Sequence, residues 1–383
     1  MASMERRYLV KQLGLNSDNQ TYDFQAPRQG VVSGFLVKLA YTNGATGGGG
    51  QDIADIVTKV QVVANGSDVL FSLSGYELLK WSYKWQHDRC AQLRDARAAA
   101  VQYCMFPVLF GRYLGDREYF LNLADYNTID IQVTYAPTIS VTQFASGTGV
   151  LDIIGVFFPT GVVPPARKGY LRTTQINKFT TVAAGDNVQV LANRYQMAGL
   201  MVYCYQAGIA EGVPITTVEL RLDNGVYIPL TGRWLDWQEE NDNTLDIDPS
   251  EEVIAFVGDN ATIETRSGRI ISAQNDLIFA DAADALVPIF RVRSIAGGQI
   301  TTAQVSAAGS TVVGGGAVDA TARPTLWRSR GLGIGNAVFL PLTRNDDFDN
   351  AFDAPSHNDI RLALTQGAAG ADVRVSSWEI VPA

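Results

Sequence analysis

Two histidines and three cysteines in 383 residues leave little material for the commonest site chemistries. With only His87 and His357, a histidine-rich metal centre is excluded and a histidine-based triad has two candidates at most. His87 falls in a helical pattern beside Trp85 and His357 in a polar loop, so both read as ordinary helix-surface and loop residues. Cys90, Cys104 and Cys204 are odd in number and show no CxxC spacing, which argues against a disulfide framework and for a reducing compartment. No GxSxG, HExxH or Walker A sequence occurs, and Arg330-Gly-Leu-Gly-Ile-Gly-Asn336 has its glycines at the wrong spacing for a dinucleotide fingerprint. No run reaches the ~18 to 20 apolar residues of a membrane span. Val150 to Val163 comes nearest, and Asp152 and Pro159 interrupt it; the start, MASMERRYLVKQLGL, lacks the apolar core of a secretory signal. Charged residues are only 18% of the chain and the net charge is -9, the wrong sign for coating nucleic acid through its phosphates. No catalytic or cofactor-binding residue is assigned, and no enzyme activity is expected.

What the chain does have is a pattern stated twice. VQVVANGSDVLFSLSGYELLKW, Val60 to Trp81, returns at Val218 to Trp237 as VELRLDNGVYIPLTGRWLDW. In each, an alternating apolar run meets Asn-Gly, turns into a second apolar run and reaches a small-Gly pair before aromatics. Period-two alternation describes a strand with one buried face, and Asn-Gly between two such runs is a strong hairpin signal. Other pieces recur in the same order. Gly34 to Leu39 matches Gly199 to Cys204, Tyr119 to Leu123 matches Val338 to Leu342, and Asn127 to Thr134 matches Asn358 to Thr365 with apolar residues in phase. Leu151 to Phe158 before Pro159 matches Val373 to Val381 before Pro382. Several elements in one order, twice, indicate a duplicated β-domain. Thirty-six glycines with abundant Val, Ile, Thr and Tyr favour short strands and tight turns, so the expected class is all-β with a few helices in connections.

The boundaries expected are a polar, aperiodic N-terminal arm at 1–24, a first sandwich at 25–160, a Pro-rich stiff linker at 161–169 and a second sandwich at 170–383. Within the first, Gly75 to about Tyr103 reads as a long helix and Arg117 to Leu123 as a strand. Within the second, about 238–335 has no counterpart of that length and reads as a projecting loop insertion.

Three groups of residues invite a site. In the cluster Asn345 to Asn350, Asp346, Asp347 and Asp349 offer oxygens to Ca²⁺, but the EF-hand spacing and its central Gly are missing, so a solvated loop is the plainer reading. Arg6, Arg7 and Lys11 form a small basic patch near the N-terminus that can meet anionic lipid headgroups. Trp81, Trp85, Trp234, Trp237, Trp327 and Trp378 can line a sugar groove, yet four of them fall at the repeated hairpin-to-helix junctions, where core or interface packing explains them. A carbohydrate-binding or carbohydrate-active sandwich, lectin-like or a viral spike, is therefore the alternative expectation.

Two successive sandwiches of one strand order, the junctions Leu73-Ser74-Gly75 and Leu230-Thr231-Gly232 followed by aromatics, a stiff linker and one long insertion resemble the double jelly-roll major capsid proteins of tailless icosahedral, membrane-containing viruses, tectivirus- and corticovirus-like bacteriophages among them. The resemblance covers roughly Gln25 to Pro382 and rests on order and length. It implies two tandem jelly rolls and a structural capsid protein: a homotrimer shaped as a pseudo-hexameric tile of an icosahedral shell, touching neighbouring capsomers and a penton protein. It also implies an arm, here Arg6, Arg7 and Lys11, turned towards an internal membrane, residence in the virion and assembly in the host cytoplasm. The first half's loops are short beside the second's, which departs from a pattern in which both halves carry towers.

Overall fold

The computed structural model of the chain describes residues 4–15, 17–45, 52–86, 91–95, 99–159, 167–206, 209, 211–245, 334–343 and 347–383, and between 250 and 332 the backbone of eight strands. The first half contains β1 (Glu5–Gly14), β2 (Gln20–Gln25), β3 (Val31–Thr42), helix α1 (Ile53–Ile56), β4 (Val57–Ala64), β5 (Asp68–Leu73), helix α2 (Gly75–Gln86), β6 (Gln92–Leu93), β7 (Val101–Leu109), β8 (Leu121–Asn122), β9 (Ile129–Tyr135) and β10 (Val150–Phe157). These make one sheet of order β1-β10-β3-β7-β6, with β8 on β3, facing a second of order β2-β9-β4-β5.

The second half opens with β11 (Gly169–Thr180), β12 (Gly185–Val190), β13 (Gln196–Tyr205), β14 (Ile215–Leu222), β15 (Tyr227–Arg233) and helix α3 (Trp234–Leu245). The insertion supplies β16 (Ser250–Phe256), β17 (Thr262–Glu264), β18 (Arg269–Leu277), β19 (Phe290–Val292), β20 (Gln299–Thr301), β21 (Ala303–Val305), β22 (Val312–Gly314) and β23 (Pro324–Leu332). β24 (Ala337–Pro341), β25 (Ile360–Gln366) and β26 (Asp372–Pro382) finish the chain. The second half's sheets run β11-β26-β13-β24 and β12-β25-β14-β15, repeating the first half strand for strand, with β11 in the place of β1 and β15 in that of β5. Two four-stranded sheets interleaved in this order, closed over one core, are a jelly roll. The molecule is a double jelly roll.

Local chemistry accounts for the repeat. Asn65 and Gly66 hold φ of 50° and 75°, and Asn224 and Gly225 hold 61° and 81°, the left-handed values that bring β4 onto β5 and β14 onto β15. Alternation then sorts the side chains: in β9, Ile129, Ile131, Val133 and Tyr135 are buried and the residues between them are not. One core gathers Phe35, Val37, Val62, Phe106 and Ile153, and a separate one gathers Leu200, Val202, Leu220, Leu362 and Val375.

Several expectations are corrected. Residues 5–14 and 20–25 of the expected arm are strands: β1 pairs antiparallel with β10, and β2 with β9. Two register shifts, between Tyr8 and Val10 and between Val10 and Leu13, break the period-two pattern of β1 and hide it from inspection. The helix expected to reach Tyr103 ends at Gln86; Leu93 pairs with Tyr103, and Gln102, Cys104, Phe106 and Val108 are buried at period two along β7. Of the strand expected over 117–123, only Leu121–Asn122 pairs in a ladder, and the counterpart of β24 is β7, not the expected Tyr119 to Leu123. The insertion expected from about 238 begins inside α3. Among the described residues its strands pair only with one another, as β16-β23-β18-β19, β17-β20 and β21-β22. Residues 160–166, most of the expected linker, lie outside the described residues.

The halves are joined through backbone. β5 pairs parallel with β11 at Phe71↔Thr173 and Ser72↔Thr174, fusing two sheets into one of order β2-β9-β4-β5-β11-β26-β13-β24.

Candidate assembly surfaces

The repeated hairpin-to-helix unit lies where surfaces meet. In the first sandwich a side chain at Gly75 would place its Cβ 2.6 Å from the Ala54 carbonyl oxygen, so only glycine lets the chain turn from β5 into α2 there. Ser74 and Glu77 cap the helix reciprocally. The Glu77 N–H donates to Ser74 Oγ at 3.4 Å, and the Ser74 N–H and Oγ–H donate to Glu77 Oε2 at 2.9 and 2.7 Å. Glu77 is 1% exposed, and its second oxygen has no hydrogen-bond partner. Burial pushes its carboxyl up to about 7, against the opposing pull of the Ser74 hydrogen bonds and of Arg374.

Arg374 comes from β26 of the other sandwich. It donates to Ser74 Oγ and, through Nε and Nη2, to Asp372 Oδ2 at 3.0 and 2.6 Å. Its guanidinium lies 5.7 and 5.6 Å from the rings of Tyr76 and Tyr203, which stack on each other at 5.7 Å. One turn further along α2, Trp81 Nε1–H donates to Ser376 Oγ at 2.9 Å. The Trp81 ring meets Trp85 at 5.3 Å, Phe339 at 5.7 Å and Trp378 at 5.9 Å, and Phe348 continues the chain of rings at 5.0 Å from Trp378. Backbone pairing, a buried polar clasp and an aromatic weld thus make the two sandwiches one body.

The second copy of the unit sits at a free end. Trp234 and Trp237 fill the second core, while Arg233, Asp236 and Leu235 face outwards from the start of α3. Deeper in α3, Asn241 Nδ2 donates to the Phe339 carbonyl at 2.8 Å and the Phe339 N–H donates to Asn241 Oδ1 at 2.7 Å, so one amide side chain completes the outer edge of β24. Pro229 and Leu230 of β15 wall an open groove of about 380 Å³ with Leu342 and Phe352.

The residues singled out from sequence fall as follows. Arg6, Arg7 and Lys11 are exposed on β1; Arg7 pairs with Glu5 and lies 5.3 Å over Phe157, and Lys11 lies 5.6 Å over Tyr8. Asp347 accepts from the Asp349 N–H at 3.2 Å and from Asn350 Nδ2 at 2.6 Å, and Asp349 pairs with Lys168 at 2.8 Å, so both carboxylates already have partners; Asp346 lies outside the described residues. Among the described residues no three metal-ligating side chains converge. His357 Nδ1 lies 3.2 Å from Asp223 Oδ2, while His87 and Cys90 lie outside the described residues. Cys104 and Cys204 are buried thiols, and burial pushes Cys204 up to about 12. Trp81, Trp85, Trp234, Trp237 and Trp378 are all buried, which removes them from any sugar groove; the Trp327 side chain is outside the described residues. Sequence reasoning missed Glu77, Arg374 and Asn241. The Ser-x-x-Glu spacing at 74–77 was a usable signal for the first; nothing local marks the other two.

No family model and no curated protein matches the sequence. The fold nevertheless places the chain among double jelly-roll proteins, the architecture of viral major capsid proteins. The chain is similar to the crystal structure of the STIV MCP over 99% of its own length and 97% of that chain, at a TM-score of 0.59 and 12% identity. It is also similar to a chain in the atomic structure of Sulfolobus turreted icosahedral virus, over 99% and 91%, at 0.57 and 11%. The major capsid protein P2 of bacteriophage PM2 aligns over 98% of both chains at a TM-score of 0.48, too loosely to add weight.

Proposed function

We propose that the protein is a major capsid protein whose homotrimers form pseudo-hexameric tiles of an icosahedral shell over an internal membrane, meeting neighbouring capsomers and a penton protein. The observation that carries this reading is the duplication itself: two jelly rolls of one topology, fused by a continuous eight-stranded sheet and a buried aromatic weld. Such a body is a stiff block with two similar halves, and three copies present six similar faces to the next tile. The similarity in fold to the STIV capsid chain supports the same role. Because Arg7 pairs with Glu5 and lies over Phe157 and Lys11 lies over Tyr8, the membrane contact is assigned first to Arg6, at the start of β1.

Light scattering of the purified protein should give three times the 41.5 kDa of one chain, and the tile should appear in particle density with the Arg6 end of β1 towards the bilayer. A monomer at assembly concentrations would overturn the capsid reading, and density with that end facing away would remove the membrane contact.

A further inference from the structure

The join between the two sandwiches has one repeat-related counterpart left open at each end of the chain. Within the chain, β5 and the start of α2 meet β11 and the outward face of β26. By the strand-for-strand repeat, β15 and α3 correspond to β5 and α2, and β1 and β10 to β11 and β26. Among the described residues, the outer edges of β15 and β1 pair with no strand. β15 leaves Ile228 exposed and Pro229 and Leu230 only half-buried where β5 half-buries Val69 and buries Leu70 and Phe71, and Leu235 of α3 is 38% exposed where its counterpart Tyr76 stacks on Tyr203. An apolar strand edge left open beside an apolar helix start is an unfilled interface.

The side chains at the equivalent positions complement one another. Val60 pairs with Leu73 and its counterpart Val218 with Gly232, and each helix starts two residues later, at Gly75 and Trp234, so Arg233 stands in the place of Ser74. Val373 and Val375 point into the second core as Leu151 and Ile153 point into the first, so Asp152 and Ile154 stand where Arg374 and Ser376 stand. Inside the chain that contact is a cation on the sheet against a hydroxyl at the helix start, Arg374 donating to Ser74 Oγ. At the open ends it becomes a cation at the helix start, Arg233, against an anion on the sheet, Asp152.

Resting on the capsid reading, we infer that β15 and the start of α3 of one copy dock on β1 and the outward face of β10 of the next, as the α2 junction docks within a chain, with Arg233 facing Asp152. The contact is heterologous, head to tail, and closes into a ring when the rotation permits. Pro229 stands where β5 has Leu70 and leaves β15 one backbone donor fewer, so register is fixed by the charge pair and the apolar contacts more than by a ladder.

The test is a charge-reversal cycle read by light scattering. R233E alone and D152R alone should each weaken the trimer by roughly tenfold or more, and the double variant R233E/D152R should recover most of that loss. Because a surface reversal can disturb folding, a second measurement uses mixtures: an R233C chain mixed with a D152C chain should form a disulfide-linked dimer under mild oxidation, and neither chain alone should. A trimer that survives both reversals, lacks recovery in the double variant or gives no mixed disulfide overturns this docking while leaving a trimeric capsid protein standing. A parent chain that stays monomeric overturns both.

Discussion

At the scale of single residues, Glu77 concentrates the tension in the molecule. A carboxyl buried beneath Arg374 and Asp372, with one oxygen unpartnered, holds its proton up to about 7, well above its ordinary 4.5. The folded chain therefore binds this proton more tightly than the unfolded one. Glu77's contribution to stability is fully present below pH 4.5 and is lost as pH rises through 7, a swing of roughly 3 kcal/mol for a shift of that size. E77Q removes the titration and keeps an acceptor for Ser74. Thermal unfolding from pH 4.5 to 8 should show the variant's advantage over the parent growing through that window and levelling off above it; parallel curves would show that Glu77 does not titrate there. Glu211 and Glu379, also raised by burial, remain in both proteins, so the difference between the curves isolates Glu77. Of this network the sequence discloses one part. Ser74 and Glu77 sit at capping-box spacing, but Arg374 is 300 residues away from Ser74, and no local pattern connects them.

At the scale of elements, legibility follows the regularity of the pattern. The hairpins were readable because Asn-Gly does the same backbone work wherever it occurs, and β9 and β25 because one face of each is buried without interruption. β1 is hidden because its two register shifts scramble the alternation, and α2 reads too long because the alanines at 98–100 mimic a helical face beside a strand that buries alternate residues. The sheet's terminal edge at β24 was invisible for another reason. It is completed by the side chain of Asn241, 98 residues away from Phe339, so no strand pattern precedes it. N241L keeps the volume and leaves the Phe339 N–H and carbonyl without partners. Such a loss costs roughly 1 to 3 kcal/mol and opens a strand edge. A lowered melting temperature, with scattering that grows with protein concentration, is the expected result; a variant that melts with the parent would show that the bracket contributes nothing.

At the scale of the whole molecule, the duplication is legible because each half repeats its own hydrophobic phases, except that β24 answers to β7 and not to Tyr119 to Leu123; that the halves are one body is not legible. A Pro-rich stiff linker suggests two domains set apart, whereas the β5–β11 ladder fuses them into one sheet and the first core runs on into the second half through Phe339 and Trp378. On the proposed capsid reading the join has a use: neighbours pushing on either half can transmit force only through a join stiffer than a linker. The join predicts cooperativity. Trp81 is fully buried against Trp85, Phe339 and Trp378 and donates to Ser376, so W81A should cost about 3 to 5 kcal/mol, most of it at the junction and not inside either sandwich. Calorimetry of the parent should then give one endotherm for both sandwiches, because neither can open without exposing the shared rings. In W81A the second sandwich keeps its separate core of Leu200, Val202, Leu362 and Val375 while the first loses its brace, and the endotherm should split in two. Two transitions already present in the parent would mean the sandwiches fold independently, and a single transition surviving in W81A would place the coupling in the β5–β11 ladder and the Arg374 clasp.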